Sequence, residues 1–323
     1  MDFLKSYAVL FEEKLQNLNF PQKPETLYDP QRYILQNGGK RIRPILTLIS
    51  CGLCGSSAER AIPAALAVEL LHNFTLIHDD IMDQADSRRG EPSVHKKWDT
   101  ATAILAGDSM FTHSMLQLQN LPDDVNHKQI SHIFLNAVNV VCEGQAMDME
   151  FESRSDVTVE EYHKMIAGKT GALISAAMQM GGMCANASEQ HLDQLSIIGE
   201  SLGLAFQIQD DWLDVVADPD TFGKRKAGDI YEGKKTFLML TALERCSENE
   251  REKITACLAD KPLSSKEVGE IISLFESCNV ISDTRKHFLK AYNRAEKALQ
   301  QFGESNYKQD LQQLIKFLKN RES

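Results

Sequence analysis

Two stretches with the same arrangement of acids decide how this chain folds and what it binds. Residues 70–83 read LLHNFTLIHDDIMD, and residues 202–214 read LGLAFQIQDDWLD. The first aspartate motif contains Asp79, Asp80 and Asp83, and the second contains Asp210, Asp211 and Asp214. Residues four apart lie on one face of a helix, so each motif crowds like charges together.

The apolar setting of both motifs favours metal binding. A single motif of this kind is most often a solvated acidic face. Here Leu76 and Ile77 come shortly before the first motif, and Phe206 and Ile208 come shortly before the second. Carboxylates in an apolar setting need a partner, and Mg²⁺ is bound by carboxylates together with substrate phosphates. The two motifs therefore predict a magnesium site that holds a diphosphate.

Composition narrows the class of protein. The chain has 323 residues, of which 42% are hydrophobic and 25% charged, as in an ordinary globular protein. The net charge of -11 argues against nucleic acid as a partner. Seven cysteines in a long chain argue against a disulfide framework, and Cys51 and Cys54 are interpreted as core cysteines. We identify no signal peptide and expect no transmembrane segment, so the predicted location is cytoplasmic.

The spacing of apolar residues predicts helices almost throughout, and no strand or hairpin. Ala61–Asp83 and Gln190–Val216 carry the two motifs, and Thr100–Leu118 is another apolar helix. Helices that are apolar nearly all round must be enclosed by others. We therefore predict an all-α fold with one domain over residues 1–323. Further helices are predicted at 4–15, 32–36, 41–54, 129–151, 159–166, 171–183, 238–245, 250–258, 265–277, 281–302 and 307–319.

Basic residues lie next to both motifs. Residues 38–44 read GGKRIRP, where glycines end one helix and cations begin the next. Arg88-Arg89-Gly90 follows the first motif, while Lys224 and Lys234 follow the second. Lys169 opens another helix. Each group alone could be a solvated turn or an ion pair, but a helix start with Lys and Arg beside it can bind an anion. Their recurrence beside the aspartates favours a diphosphate ligand.

These motifs together resemble those of the trans-isoprenyl diphosphate synthases, of the farnesyl and geranylgeranyl diphosphate synthase type. The resemblance covers about residues 38–235. It implies an antiparallel helix bundle around a deep central cavity (the isoprenoid synthase fold), three Mg²⁺ per active site and a homodimer. It also implies the reaction: an allylic diphosphate ionises, isopentenyl diphosphate attacks the cation, and a proton is lost.

The resemblance assigns roles to single residues. Asp79, Asp83 and Asp210 would ligate the metals directly, and Asp80, Asp211 and Asp214 would assist, some through water. Arg88, Lys169, Lys224 and Lys234 would contact the allylic diphosphate, and Lys40, Arg43, His72 and Arg89 would bind isopentenyl diphosphate. Thr170 and Gln207 would steady the cation and the departing proton. Gln145 and Asp148 resemble residues on the helix that borders the metals.

Product length is predicted from the residues upstream of the first motif, where the hydrocarbon tail would grow. Phe74 is the predicted floor, next to the small Thr75, with Leu71 as an alternative stop. One aromatic and a small residue, without a two-residue insertion in the motif, resemble twenty-carbon synthases. The expected product is geranylgeranyl diphosphate, and farnesyl diphosphate is the alternative.

Three other classes stay open at this point. A class I terpene cyclase would use the metals and one diphosphate but would need no isopentenyl site, which Lys40, Arg43 and Arg89 argue against. A non-catalytic subunit regulating a partner synthase should have lost an aspartate or lysine. A helical scaffold that binds divalent cations would bind metal without depending on diphosphate. The preferred primer and the roles of Arg225 and Lys226 are not determined by the sequence.

Overall fold

A computed structural model describes residues 2–217, 227–259 and 263–321, which are helical nearly throughout, as predicted. The α-helices are Lys5–Gln16, Glu25–Gln36, Ile42–Leu53, Ile62–Met82, Val94–Lys97, Thr100–Gln117, His127–Ser153, Val159–Ile166, Ala172–Cys184, Glu189–Val216, Gly228–Glu232, Phe237–Arg245, Glu248–Ala259, Ser265–Ser277, Val280–Leu299 and Asn306–Lys319. Short 3₁₀ turns span Asp2–Leu4, Ala58–Ala61 and Leu118–Asn120, and a π-helical turn spans Ala167–Gly171.

The chain groups into two compact units. Unit 1 comprises Met1–Val138, Ala176–Ser196 and Gln301–Leu311, and unit 2 comprises Asn139–Ser175, Ile197–Gln300 and Gln312–Ser323. The first aspartate motif belongs to unit 1 and the second to unit 2. The assignment of residues 1–323 to a single domain stays a prediction.

In unit 1 the Ile62–Met82 helix is largely buried, as its apolar sequence predicts. The Thr100–Gln117 helix packs against it closely because Gly107 has no side chain. A Cβ at Gly107 would lie 2.4 Å from His78 Nε2. The stretch Ala58–Met82 is long and apolar enough to cross a membrane by length and composition alone. However, 61% of its most apolar window is buried inside the protein, as in a core helix.

In unit 2 the helix that carries the second aspartate motif touches its neighbours backbone to backbone. A Cβ at Gly203 would lie 2.6 Å from Gly171 Cα, and one at Gly199 would lie 2.4 Å from Ser175 Cα. Glycine is required at both positions, because any side chain would push the helices apart. The close approach brings the π-helical turn Ala167–Gly171 next to the second motif.

A short hairpin follows the first aspartate motif, so the prediction of no hairpin was wrong. Ser87 pairs with Pro92 and Arg88 pairs with Glu91 in an antiparallel ladder. The two turn residues, Arg89 and Gly90, have φ of 55° and 82°. Two-residue hairpins favour positive φ at both central positions, which Gly90 supplies readily. The flanking sequence lacks alternating apolar residues, so strand periodicity could not reveal it.

The predicted short helix at 32–36 was also wrong at its start. The helix begins at Glu25, and Pro24 is its N-cap residue in an extended conformation. Proline is tolerated at the beginning of a helix because the first N–H groups have no partner within the helix. Pro24 therefore marks the start of this helix.

Candidate active site

The first aspartate motif divides into one buried and two more exposed carboxylates. The Asp83 N–H donates to Asp79 O at 2.8 Å, so these two residues are one helical turn apart, as predicted. Asp80 is fully buried and accepts from Arg88 Nε at 2.8 Å and 3.0 Å, one bond to each oxygen. Asp83 is exposed, and the side chain of Asp79 is 22% exposed. Asp80 is therefore engaged with a guanidinium, while Asp79 and Asp83 lie nearer solvent.

Arg88 is held at the motif by the hairpin. Its Nη2 lies 2.7 Å from Asp80 Oδ1 and 3.9 Å from Asp79 Oδ2. Burial works against the charge of Arg88, but Asp80, Asp79 and Asp83 outweigh it and raise its pKa. A permanently charged guanidinium therefore lies beside the carboxylates, with 26% of its side chain exposed.

Arg43 and His72 form a half-buried pair in the same unit. Arg43 Nη1 lies 3.2 Å from His72 Nε2. Burial and the neighbouring guanidiniums, Arg43 first, hold the pKa of His72 well below its usual value. The imidazole is therefore neutral, and Nε2 accepts from Arg43 because a guanidinium can only donate. Arg43 Nε is buried and has no hydrogen-bond partner among the described residues.

Arg89 adds a second guanidinium to the pair of Arg43 and neutral His72, and it is held by the Gly38–Gly39 turn. Arg89 Nη1 donates to Gly38 O, and a Cβ at Gly39 would lie 3.0 Å from the guanidinium carbon. Burial and then the charges of Arg41 and Arg88 lower the pKa of Arg89 against the opposing effect of Glu69, and Arg89 in turn lowers that of Arg43. Two cations that destabilise each other, beside a buried donor with no partner in the ranges that the structure describes, form a site that an anion would stabilise. We call Arg43, His72 and Arg89 the guanidinium cluster.

The two other cations of residues 38–44 are placed differently. Arg41 is buried and donates to Glu69 at 2.6 Å, Glu12 at 2.7 Å and Leu35 O at 2.7 Å. Its charge is thus satisfied within the protein, and its role is to fix the start of the Ile42–Leu53 helix. Lys40 is exposed beside it.

The second aspartate motif is built around Asp211, which is buried. Its oxygens accept from Tyr162 Oη at 2.5 Å, Gln207 Nε2 at 3.2 Å and Phe237 N at 3.4 Å. Burial and the nearby carboxylate of Asp229 raise the pKa of Asp211 to about 7, against the effect of these hydrogen bonds. Tyr162 is likewise kept protonated, because burial and Asp211 raise its pKa well above the usual value.

The other two aspartates of the second motif have different environments. Asp214 is buried, and its two oxygens accept from Gly228 N at 3.2 Å and Asp229 N at 3.1 Å, at the start of the Gly228–Glu232 helix. The side chain of Asp210 is 39% exposed and is paired with Arg321 Nη2. As in the first motif, the most buried carboxylates are hydrogen-bonded within the protein. Asp210 lies nearer solvent.

Lys169 and Thr170 lie in the π-helical turn, a form of helix that is rare and frequent at functional sites. Lys169 Nζ lies 2.6 Å from Asp148 Oδ2. Thr170 Oγ1 donates to Gln207 Oε1 at 3.3 Å, and the Gln207 amide donates onward to Asp211. The structure thus connects the predicted residues Thr170 and Gln207 to Asp211 of the second motif, and Lys169 is the neighbour of Thr170 in the same turn. Gln145 lies on the helix of Asp148 and is half-buried.

The predicted lysines after the second motif are only partly described. Lys234 Nζ lies 2.7 Å from Glu232 Oε2 and 3.2 Å from Asp229 Oδ1. Burial opposes its charge, but these carboxylates outweigh burial and raise the pKa of Lys234. Lys224, Arg225 and Lys226 lie outside the described residues.

The predicted chain-length residues lie upstream of the first motif. The Phe74 ring packs 4.7 Å from the His78 ring and 5.8 Å from the Phe111 ring, measured between centroids. Thr75 Oγ1 donates to His72 O at 2.8 Å, and Leu71 is fully buried. Phe74 therefore bridges from its own helix to the Thr100–Gln117 helix.

The donor sets fit a hard divalent cation. Each motif offers carboxylate oxygens that lie nearer solvent: Asp79 and Asp83 in unit 1, and Asp210 in unit 2. Oxygen ligands of this kind are preferred by Mg²⁺. Asp80, Asp211 and Asp214 are engaged by Arg88, Tyr162 and backbone N–H groups, so they suit an assisting role.

Three residues at these sites were missed by the sequence analysis. Tyr162 holds Asp211, Glu69 balances the guanidinium cluster, and Arg321 pairs with Asp210 and stacks 4.8 Å from the Phe206 ring. Tyr162 and Arg321 have no local signal, because each lies about fifty or more positions from its partner. Glu69, an isolated acid in the apolar run of the Ile62–Met82 helix, could have been noticed, because an ionised group is buried only with a partner.

The sequence of this chain matches a known protein family and is similar to a characterised kind of enzyme. The family model described as Polyprenyl synthetase matches residues 24–275. A short chain isoprenyl diphosphate synthase of Methanothermobacter thermautotrophicus is 39% identical over 322 residues, with 100% of this chain and 98% of the relative covered.

Two solved structures are similar to this chain over nearly its whole length. The geranylgeranyl pyrophosphate synthetase from Pyrococcus horikoshii Ot3 superposes with a TM-score of 0.93 at 37% identity, covering 99% of this chain and 97% of that one. A polyprenyl synthase from Caulobacter crescentus CB15, complexed with calcium and isoprenyl diphosphate, has a TM-score of 0.88 at 26% identity, covering 100% of this chain and 98% of that one. The fold is the all-α isoprenoid synthase fold, and the chain belongs to the polyprenyl synthetase family.

Proposed function

We propose that this chain is a short-chain trans-prenyltransferase that condenses isopentenyl diphosphate with an allylic diphosphate, mainly to geranylgeranyl diphosphate. The observation that carries the proposal is the guanidinium cluster in the same unit as the first aspartate motif. The aspartates suit a diphosphate bound through metal. Arg43, whose buried Nε has no partner in the described part of the chain, suits a diphosphate bound directly. A prenyltransferase needs both kinds of site, and a terpene cyclase needs only the first.

Magnesium is the proposed cofactor, with three ions per active site. Asp79, Asp83 and Asp210 would hold the ions directly, and Asp80, Asp211 and Asp214 would assist. Bound Mg²⁺ supplies the Lewis acidity that stabilises negative charge on a departing diphosphate. The calcium-bound Caulobacter relative supports a divalent cation in this family.

The residues of the chain have distinct tasks in the proposed reaction. Arg88, Lys169, Lys224 and Lys234 bind the allylic diphosphate, whose C–O bond breaks with both electrons going to oxygen. These cations stabilise the charge that develops there. The double bond of isopentenyl diphosphate then attacks the allylic carbocation. A proton leaves the new cation, and the released diphosphate is the proposed acceptor.

Thr170 and Gln207 are the proposed neutral residues beside the carbocation. The Thr170 hydroxyl donates to the Gln207 carbonyl, which orients the Gln207 amide toward Asp211. Lone pairs on these oxygens can stabilise positive charge without competing for the proton as strongly as a carboxylate would. Lys40, Arg43, His72 and Arg89 bind isopentenyl diphosphate, and His72 is neutral in this role because of its lowered pKa.

The proposed product length rests on Phe74. The ring reaches Phe111, so it can close the path of the growing tail one turn above Asp79, while Thr75 leaves space beside it. Leu71 is the alternative stop. The Pyrococcus relative, named for geranylgeranyl pyrophosphate, supports the twenty-carbon product.

We also propose that the chain acts as one catalytic domain, in the cytoplasm, as a homodimer. The Thr100–Gln117 helix exposes Leu105 and Leu116, with 60% and 51% of their surfaces accessible. Their spacing of eleven residues places them on one helical face. Leu135, on the His127–Ser153 helix, is 44% exposed. A second copy would remove this apolar surface from water.

The direct test is a product assay. The protein is incubated with labelled isopentenyl diphosphate and, in turn, dimethylallyl, geranyl and farnesyl diphosphate, with Mg²⁺ present or chelated. We expect label in geranylgeranyl diphosphate only when Mg²⁺ is present. Asp79→Asn should lower turnover at least about 100-fold by removing a metal ligand. Asp108→Asn, at an exposed acid outside the motifs, should behave as wild type. Metal-independent incorporation, or none with any primer, contradicts the proposal.

Arg43→Gln should weaken the binding of isopentenyl diphosphate without weakening the binding of the allylic substrate. Loss of a charge-assisted hydrogen bond predicts a KM for that substrate raised roughly 10-fold to 100-fold. The KM for the allylic substrate should stay near the wild-type value. The matched control is Arg32→Gln, which removes a guanidinium paired with Asp29 far from the motifs in sequence. An equal rise in both KM values would argue against a dedicated site.

Phe74→Ala should lengthen the product, because it removes the ring that bridges to Phe111. Product chains are compared by chromatography after dephosphorylation. Phe317→Ala serves as the control, since that ring is 42% exposed and lies on another helix. Unchanged chain length in Phe74→Ala would assign the stop to another residue, with Leu71 next to be tested.

Leu105→Glu should dissociate the dimer, because a charge on the contact face would have to be desolvated. Sedimentation velocity at micromolar concentration measures the result. Val9→Glu is a closely matched control, as Val9 is also 60% exposed but lies on the Lys5–Gln16 helix. A wild-type monomer, or a dimer that survives Leu105→Glu, would refute this interface.

A further inference from the structure

Two cysteines in unit 2 lie next to each other, away in sequence from both aspartate motifs. Cys246 Sγ and Cys278 Sγ are 2.6 Å apart, and both thiols are free. Cys246 follows the Phe237–Arg245 helix and Cys278 follows the Ser265–Ser277 helix, each as the C-cap residue. The backbone N–H groups of both cysteines donate to carbonyls of their own helices, so both positions are fixed.

The pair lies at the edge of a hydrophobic cluster. Cys246 is 4% exposed and packs in the cluster that contains Ile254, Phe275 and Val280. Cys278 is half-buried, so it is the sulfur that a reagent in solution can reach. One accessible and one enclosed thiol in contact are the arrangement in which an attacking and a resolving cysteine can act in turn.

A metal is disfavoured as the link between the sulfurs. Glu250 offers a third ligand atom within 4.8 Å of both. However, Glu250 Oε2 already accepts from Ser247 N at 2.9 Å and from Ser247 Oγ at 2.7 Å, which caps the Glu248–Ala259 helix. Two thiolates on a tetrahedral zinc at about 2.3 Å each would be about 3.8 Å apart, farther than these sulfurs are. The geometry favours a covalent bond between the sulfurs over a shared ion.

We propose that Cys246 and Cys278 form a reversible disulfide that joins the ends of the Phe237–Arg245 and Ser265–Ser277 helices. Oxidation closes a loop over residues 246–278. At its other end, the first of these helices donates from Phe237 N to Asp211 Oδ2. The disulfide therefore fixes the position of the Phe237–Arg245 helix, whose first residue donates a hydrogen bond to the second aspartate motif.

The chemistry balances with a low-molecular-weight disulfide as the oxidant. The Cys278 thiolate attacks one sulfur of the oxidant, forming a mixed disulfide and releasing one small thiolate. Cys246 then gives up its proton and attacks Cys278 Sγ, releasing the second small thiolate. The protein loses two electrons and two protons, and the oxidant gains the two electrons. Burial and its partner raise the pKa of Cys246 to about 12, so the second step is the slower one at neutral pH.

The test uses the full-length protein, reduced and then equilibrated in buffers of oxidised and reduced glutathione. After alkylation and trypsin digestion, we expect peptides 246–251 and 267–285 joined by a bond that dithiothreitol cleaves. The oxidised protein should melt roughly 5 °C higher than the reduced one. Cys278→Ser and Cys246→Ser should abolish both effects. Cys142→Ser, at an exposed cysteine on the His127–Ser153 helix, should keep both.

Four results would overturn the proposal. The first is glutathione attached to Cys278 with no internal cross-link in oxidising buffer. The second is a cross-link to Cys257, which packs against the same cluster. The third is a cross-link without a difference in melting temperature between oxidised and reduced protein. The fourth is one equivalent of tightly held zinc that is lost in both serine variants, which would assign the pair to metal binding instead.

Discussion

Repulsion between neighbouring carboxylates is the constraint on which the rest of this structure depends. Each aspartate motif places three acids within five residues. The most buried of these acids are hydrogen-bonded to other groups of the protein. Asp80 is paired with Arg88, and Asp211 accepts from Tyr162. Asp214 caps a helix. These contacts offset the cost of burying charge and orient the backbone so that the more exposed carboxylates can serve a cation.

In unit 1 cations, as well as carboxylates, lie close to one another. Arg41 has the same kind of side chain as Arg43, only two residues away, yet Glu69 and Glu12 satisfy its charge. Arg43, by contrast, keeps a buried donor, Nε, that no group of the described residues accepts from. The contrast shows that two arginines in one motif have different environments and are suited to different roles. One stabilises the start of a helix, and the other, with neutral His72 and with Arg89, is suited to an anion from outside. A guanidinium left partly unsatisfied raises the free energy of the empty protein, and a bound diphosphate would recover it.

Glycines decide how closely the supporting helices approach. Gly203 meets the π-helical turn at Gly171, and a Cβ at Gly144 would lie 2.2 Å from Lys169 N. The turn that presents Lys169 and Thr170 is thus held on two sides by backbone contacts. Contacts of this kind leave little freedom for the Thr170–Gln207–Asp211 chain of hydrogen bonds, and rigid support is what a site needs when charge develops during a reaction.

The sequence by itself determined the all-α fold and the helices that carry the two motifs, because helical periodicity and adjacent acids are local signals. The division of the aspartates into metal ligands and assisting residues rests on the family resemblance and stays a prediction. Only the tertiary structure decided which partner each charge has. Arg88 meets Asp80 through a two-residue hairpin whose strands are too short for periodicity to reveal. Tyr162 and Arg321 reach the second motif from distant positions, and Cys246 meets Cys278 only because two helices end side by side. Such pairings depend on packing between elements, which no local window of sequence contains.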